Sequence, residues 1–193
     1  MFHMKPNPQI EAYTQLLKEG NERLNLYSTQ AYDKLPFHIQ DCINIASFIG
    51  NKPVTVLDMG SGAGLPSVII AIQNPKNTVY AVESKHKKHH FLVDVQNQLR
   101  LPNYHPICDD IHHILHQDTI HPHFITAKAF APYPKLLKIC ALASLKNNPT
   151  LIVPFSRVQA DDFYESTAIS REHADTGHYY LVQSIRSMRE KKP

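Results

Sequence analysis

Residues 54–64 read Val54-Thr55-Val56-Leu57-Asp58-Met59-Gly60-Ser61-Gly62-Ala63-Gly64, an apolar, β-branched run that ends in an acid and passes into glycine at every second position. Leu65-Pro66-Ser67 follows, then the apolar Val68-Ile69-Ile70-Ala71-Ile72. This order predicts a buried strand, a tight turn and a helix, with proline in the helix's first turn, where a missing N–H costs nothing. Glycine lets the main chain approach a ligand that a Cβ would block, and free N–H groups at the helix start face the same place. A nucleotide-like cofactor is expected there.

The spacing narrows which one. A dinucleotide fingerprint places its third glycine three residues after the second, and this chain has Leu65 there. Asp58-x-Gly60-x-Gly62-x-Gly64 resembles instead the first motif of class I S-adenosylmethionine-dependent methyltransferases. Downstream, Thr78-Val79-Tyr80-Ala81-Val82 reads as the next strand and ends at Glu83. A carboxylate there can accept both ribose hydroxyls of an adenosyl group. Dinucleotide enzymes also carry an acid about 20 residues on, so Glu83 supports the site without choosing the cofactor.

A chain of 193 residues fits a single domain, 1–193, with an N-terminal helical cap over 1–52 and an α/β cofactor-binding core over 53–193. With 42% hydrophobic and 19% charged residues, the composition is that of a folded soluble protein. Met1 to Asn7 has no apolar stretch for a signal peptide. No run approaches the roughly 20 apolar residues of a membrane span. A cytoplasmic protein with no membrane association is expected. Cys42, Cys108 and Cys140 lie far apart without a C-x-x-C; they are expected as small core residues rather than a disulfide frame or zinc site. A formal charge of +3 permits a polyanionic partner without demanding one.

Helical spacing over Ile10–Leu26 and Pro36–Ile49 predicts two amphipathic helices. Strand and helix then alternate: strands at 54–58, 78–83, 104–108, 123–128 and 150–155, helices at 65–74, 85–99, 111–116 and 133–145. Such alternation calls for a mostly parallel, Rossmann-like sheet covered on both faces. His178 to Val182 is a further strand candidate, and 163–170 reads as strand or helix. Ligands of such sheets lie beyond the carboxyl ends of the strands, where Gly60–Gly64, Glu83, Asp109/Asp110 and Lys128 all fall.

Glu83-Ser84-Lys85-His86-Lys87-Lys88-His89-His90 is the densest basic segment, suited to phosphate contacts or to a solvated helix face. Asp109-Asp110 is placed to reach an adenine amino group, to cap the helix that begins at Ile111, or both. His112 and His116 stand four apart without a third ligand at a readable spacing, so no metal is expected. Ala127-Lys128-Ala129-Phe130-Ala131-Pro132 follows the fourth strand, with Lys128 a candidate for phosphate or the acceptor edge of a base and Phe130 for stacking or core. No Pro-Pro-Tyr of amino-group methyltransferases occurs. A ring nitrogen with its own lone pair needs alignment and a water-poor site rather than a general base.

Together these segments resemble the bacterial small-subunit rRNA guanine-N7 methyltransferases of the GidB type. The resemblance rests on Leu24-Asn25-Leu26, His38 with Asp41, Val56 through Pro66, Glu83-Ser84 with Lys87-Lys88 and Phe91-Leu92, Lys128-Ala129-Phe130-Ala131, and His178 to Val182. It implies a class I methyltransferase fold, S-adenosylmethionine as methyl donor, and N7 of one guanine in the decoding-region loop of 16S rRNA as acceptor, with the small ribosomal subunit as partner; the sequence itself gives no oligomeric state, and a monomer is the expectation. It further implies that Gly60, Gly62, Gly64 and Leu65 line the methionine part, Glu83 the ribose, and Asp109 and Asp110 the adenine end, with Asp58 also among the cofactor-binding residues. Lys87, Lys88 and Lys128 would meet RNA, with Lys128 at the catalytic end. Ser67 stands where the family has glycine, Lys128 where it has arginine, and Val153-Pro154-Phe155 where it has Leu-Lys-Gly. Two alternatives stay open: a methyltransferase for another substrate, and a cofactor- or RNA-binding protein without catalysis.

Overall fold

A computed structural model describes residues 7–27, 33–142, 148–156, 169–170 and 179–185. Among the described residues, seven strands form one sheet in the order β3-β2-β1-β4-β5-β7-β6. β1 (Thr55–Met59), β2 (Thr78–Val82), β3 (Tyr104–Ile107), β4 (Phe124–Thr126) and β5 (Thr150–Phe155) run parallel. β7 (Tyr179–Ser184) is antiparallel to β5 and to β6 (Ile169–Ser170). Of the expected tail segment, 163–168 and His178 lie outside the described residues.

Strand order reverses direction between β1 and β4, which are hydrogen-bonded neighbours although β2 and β3 intervene in the chain. The crevice at such a switch point is where open α/β sheets hold ligands. β1 is apolar on both faces because both are covered, as a central parallel strand requires. On one face Val56, Val79, Ala81 and Tyr104 pack with residues of α1 (Pro8–Leu24), α2 (Leu35–Ile49), α3 (Ser67–Gln73) and α4 (His86–Leu99). On the other, Leu57, Met59, Ile125 and Leu151 pack with α5 (Ile111–Gln117) and α6 (Tyr133–Leu142). The two N-terminal helices thus share one apolar cluster with the sheet.

Local chemistry sets the ends of these elements. Asn7 caps α1, its Oδ1 accepting from Gln9 N at 3.0 Å and Ile10 N at 3.4 Å, with Pro8 in the first turn. Asn25 ends α1 in the left-handed region at φ 46°, turning the chain so that buried Leu26 faces the sheet's carboxyl edge. β4 is shorter than its expected 123–128. Ala129 at φ 53° bends the chain away and leaves Lys128 in a loop. No described helix is long and apolar enough to cross a membrane.

Candidate cofactor and base site

β1 and β2 run in register, Met59 beside Val82, so the glycine loop and Glu83 leave the sheet together. Ser61 N–H donates to Val82 O at 3.0 Å, and Gly64 N–H closes a turn on Ser61 O at 2.7 Å. Glu83, 6% exposed, takes a main-chain donor on each oxygen: Gly62 N–H at 2.9 Å on Oε2 and Lys85 N–H at 2.8 Å on Oε1. The carboxylate therefore fixes the loop while keeping further lone pairs to offer.

Gly62 sits at φ +57°, and a Cβ there would meet nothing closer than Gly60 O at 3.8 Å. It would project into a cavity of about 340 Å³ whose walls include the loop residues Gly60 to Ala63, Leu65, Glu83, Lys88 and Lys128. That volume lies in the range of small-molecule sites. At Gly60 the reason for glycine is close approach, because a Cβ would overlap the Phe130 ring. Phe130 also lines the cavity and packs on the apolar cluster behind it, as its expected core use requires.

Several expected contacts lie elsewhere. Gly64 faces inward, where a Cβ would come within 2.6 Å of Val68 Cγ2. Asp58, 1% exposed, is beneath the loop and is not on the cavity wall. Its Oδ1 accepts from Thr126 Oγ1 at 2.8 Å, while among the described residues Oδ2 has no partner in good hydrogen-bond geometry. Burial raises its pKa; Thr126 and the nearby hydroxyls of Ser61 and Ser67 offset part of that shift. Ser67 is fully buried, its Oγ 3.2 Å from Tyr104 Oη, so the departure at this position falls in the core.

Asp110 caps α5 by accepting from His112 N at 2.8 Å, and Asp109 Oδ2 lies 2.8 Å from His113 Nδ1. Neither aspartate is on the wall of this cavity, since the short cap geometry turns both toward α5. Of the two α4 lysines, Lys88 lines the cavity and Lys87 is exposed beyond it. Cys42 and Cys140 are buried as expected, but Cys108 is half-buried just after β3, with Sγ 3.3 Å from His86 Nδ1. Among the described residues no group of three His, Cys, Asp or Glu side chains is arranged to hold a metal ion.

Sequence patterning missed the contribution of the N-terminal helices. Tyr13 Oη donates to Ala63 O at 2.7 Å and props the loop from behind. Leu26 and Tyr27 form part of the cavity wall, as does Lys85 from the basic segment. Lys128 Nζ lies 3.2 Å from His38 Nδ1 of α2. It also stands between the first cavity and a second of about 320 Å³, both of which it lines together with Ala129.

A family model, GidB, described as rRNA small subunit methyltransferase G, matches residues 6–168. Among curated relatives, the ribosomal RNA small subunit methyltransferase G of Erythrobacter litoralis is 33% identical over 181 residues, covering 93% of this chain and 83% of the relative. That of Paracoccus denitrificans is 30% identical, covering 67% and 66%, and that of Psychrobacter cryohalolentis is 36% identical, covering 62% and 48%. Solved structures with the same fold include an MtNAS mutant in complex with S-adenosylmethionine, at TM-score 0.60 and 14% identity over 90% of this chain and 73% of that one. Another is precorrin-6y C5,15-methyltransferase from Geobacter metallireducens, at TM-score 0.54 and 12% identity over 74% and 85%. The fold is that of class I S-adenosylmethionine-dependent methyltransferases.

Proposed function

Because the chain belongs to the rRNA small subunit methyltransferase G family, we propose that it transfers a methyl group from S-adenosylmethionine to N7 of a guanine in the decoding-region loop of 16S rRNA. The observation that carries this reading is the Gly62–Glu83 floor of the first cavity, a main-chain cradle that a Cβ would fill, closed by a buried carboxylate. These residues fit the donor. Gly60, Gly62 and Leu65 lie along its methionine part, and Glu83 accepts its ribose hydroxyls. Gly64 and Asp58 act one layer behind, shaping and supporting the loop. Asp109 and Asp110 reach the adenine only if their side chains leave the α5 cap.

When bound, S-adenosylmethionine supplies an electrophilic sulfonium methyl, and a guanine N7 lone pair needs no general base to receive it. The protein's part is then to align two reactants and keep water out. Leu26, Leu65 and Phe130 give the cavity an apolar wall suited to excluding water, and Lys128, on the same wall, holds the RNA in this reading. Lys88 at the rim and Lys87 outside it extend this basic surface over α4 toward phosphates. The protein works as one domain, as a monomer on the small subunit, in the cytoplasm.

Calorimetry against S-adenosylmethionine and NAD tests the cofactor, and binding of NAD alone would sink the reading. Mapping N7-methylguanine in 16S rRNA after deletion of the gene tests the acceptor. Disappearance of one such base is expected, and an unchanged map would overturn the assignment.

A further inference from the structure

The second cavity shares Lys128 and Ala129 with the first, so the two have a wall in common. Its lining is largely apolar, with Phe37, Tyr133 and Phe155 as flat surfaces; the last two meet edge to face at 5.7 Å. Into this setting α2 brings Asp41, the sole carboxylate on the wall among the described residues. It is 7% exposed, and its Oδ1 accepts from Tyr180 Oη at 2.9 Å. Tyr180 Oη in turn accepts from Asn44 Nδ2 at 3.0 Å, and Asp41 Oδ2 lies 3.8 Å from His38 Nδ1. Tyr180 offsets part of the cost of burying this carboxylate in an apolar pocket, and a carboxylate can accept about four hydrogen bonds in all.

We propose that this cavity receives the acceptor guanine, with Asp41 reading its N1–H and 2-amino donors. The proposal rests on the guanine-methyltransferase reading and adds the acceptor subsite to it. Among the four RNA bases, guanine alone offers two adjacent donors matched to a carboxylate. Adenine presents an acceptor at N1, which Asp41 would repel. With the Watson–Crick edge on Asp41, the N7 edge turns toward the shared wall and the donor cavity.

The charge flow of the reaction favours the same placement. A bond forms between N7 and the methyl carbon, the carbon–sulfur bond breaks, and its electron pair stays on sulfur. No proton moves. The positive charge leaves the sulfonium and appears on the guanine ring, where a nearby fixed carboxylate stabilises it as it develops. Asp41 would therefore contribute to rate as well as to base choice.

The test compares two hairpins copying the 16S loop, one with guanosine and one with inosine at the acceptor position. Inosine keeps N7 and N1–H and lacks only the 2-amino group. Binding is read by equilibrium titration and transfer by initial rates, for wild type and Asp41→Asn. Wild type should favour guanosine about tenfold or more in both readouts, the value of a hydrogen bond to a charged group. In Asp41→Asn the two RNAs should fall within about threefold of each other, with affinity for S-adenosylmethionine unchanged because Asp41 is not on the donor wall. The proposal is overturned if wild type treats both hairpins alike, or if the variant keeps the wild-type preference. The wild-type comparison decides alone should Asp41→Asn fail to fold. A wild type that prefers the guanosine hairpin in binding yet methylates neither would sink the activity and leave the base pocket standing.

Discussion

Glu83 Oε2 accepts the Gly62 N–H at 2.9 Å, joining the ends of two neighbouring strands through a side chain and a loop peptide. The loop is therefore shaped before any ligand arrives. Glu83→Ala should remove both main-chain ties and the ribose acceptor. Donor affinity is expected to fall by about tenfold to a hundredfold, the range for hydrogen bonds to a charged group, with Glu83→Gln between it and wild type. Wild-type calorimetric affinity in Glu83→Ala would remove the ribose assignment.

Gly62→Val should abolish measurable donor binding, since its branched side chain would occupy the space the cofactor needs. Its left-handed backbone also strains a β-branched residue, at roughly 1–3 kcal/mol. A folded Gly62→Val that still binds donor would show that the loop is not the site. The melting curve separates loss of fold from loss of site.

Lys128→Ala is expected to weaken RNA more than cofactor, by titration of each separately. Its ammonium lies 3.2 Å from His38 Nδ1, and the residue lines the second cavity as well as the first. Equal losses for both ligands would place Lys128 wrongly. Lys128→Arg, with its planar fork, should bind RNA at least as well as wild type.

Tyr180→Phe removes a buried hydroxyl that Asp41 accepts from and Asn44 donates to. About 1–3 kcal/mol of stability should be lost, read from urea denaturation. No loss would mean that the α2–β7 contact contributes nothing to stability.

Asp58 gives a pH signature. Burial raises its folded pKa above the ordinary value, so its contribution is intact below about pH 4 and is lost as pH rises through the raised value. Asp58→Asn keeps an oxygen for Thr126 and never carries charge. The variant should therefore gain on wild type in urea midpoint as pH climbs from about 4 upward. A difference that stays flat with pH would show that the carboxyl is buried at no cost.

The sequence made the glycine loop, Glu83 and Lys128 legible because each depends on a local rule: strand, then turn, then the residue at the strand's end. Where two local rules compete, the pattern could not choose. Asp109 and Asp110 serve a helix cap, and a one-residue difference in helical phase decides that Lys88 rather than Lys87 lines the cavity. Ser67 looked like a site departure because it adjoins the loop, yet the chain has already turned into the core there. The second cavity was illegible for another reason. Its carboxylate is held across 139 residues, a pairing that leaves no periodic trace in either segment.

That long span bears on the order in which the protein is made. Every described residue on the first cavity's wall lies in the range Leu26 to Phe130, so those walls leave the ribosome early, since chains emerge amino end first. Tyr180 belongs to the last described strand, inserted antiparallel beside β5. A nascent chain thus holds the described wall residues of the first cavity before Asp41 can meet Tyr180. Asp41 gains this buried hydroxyl only once β7 has joined the sheet beside β5.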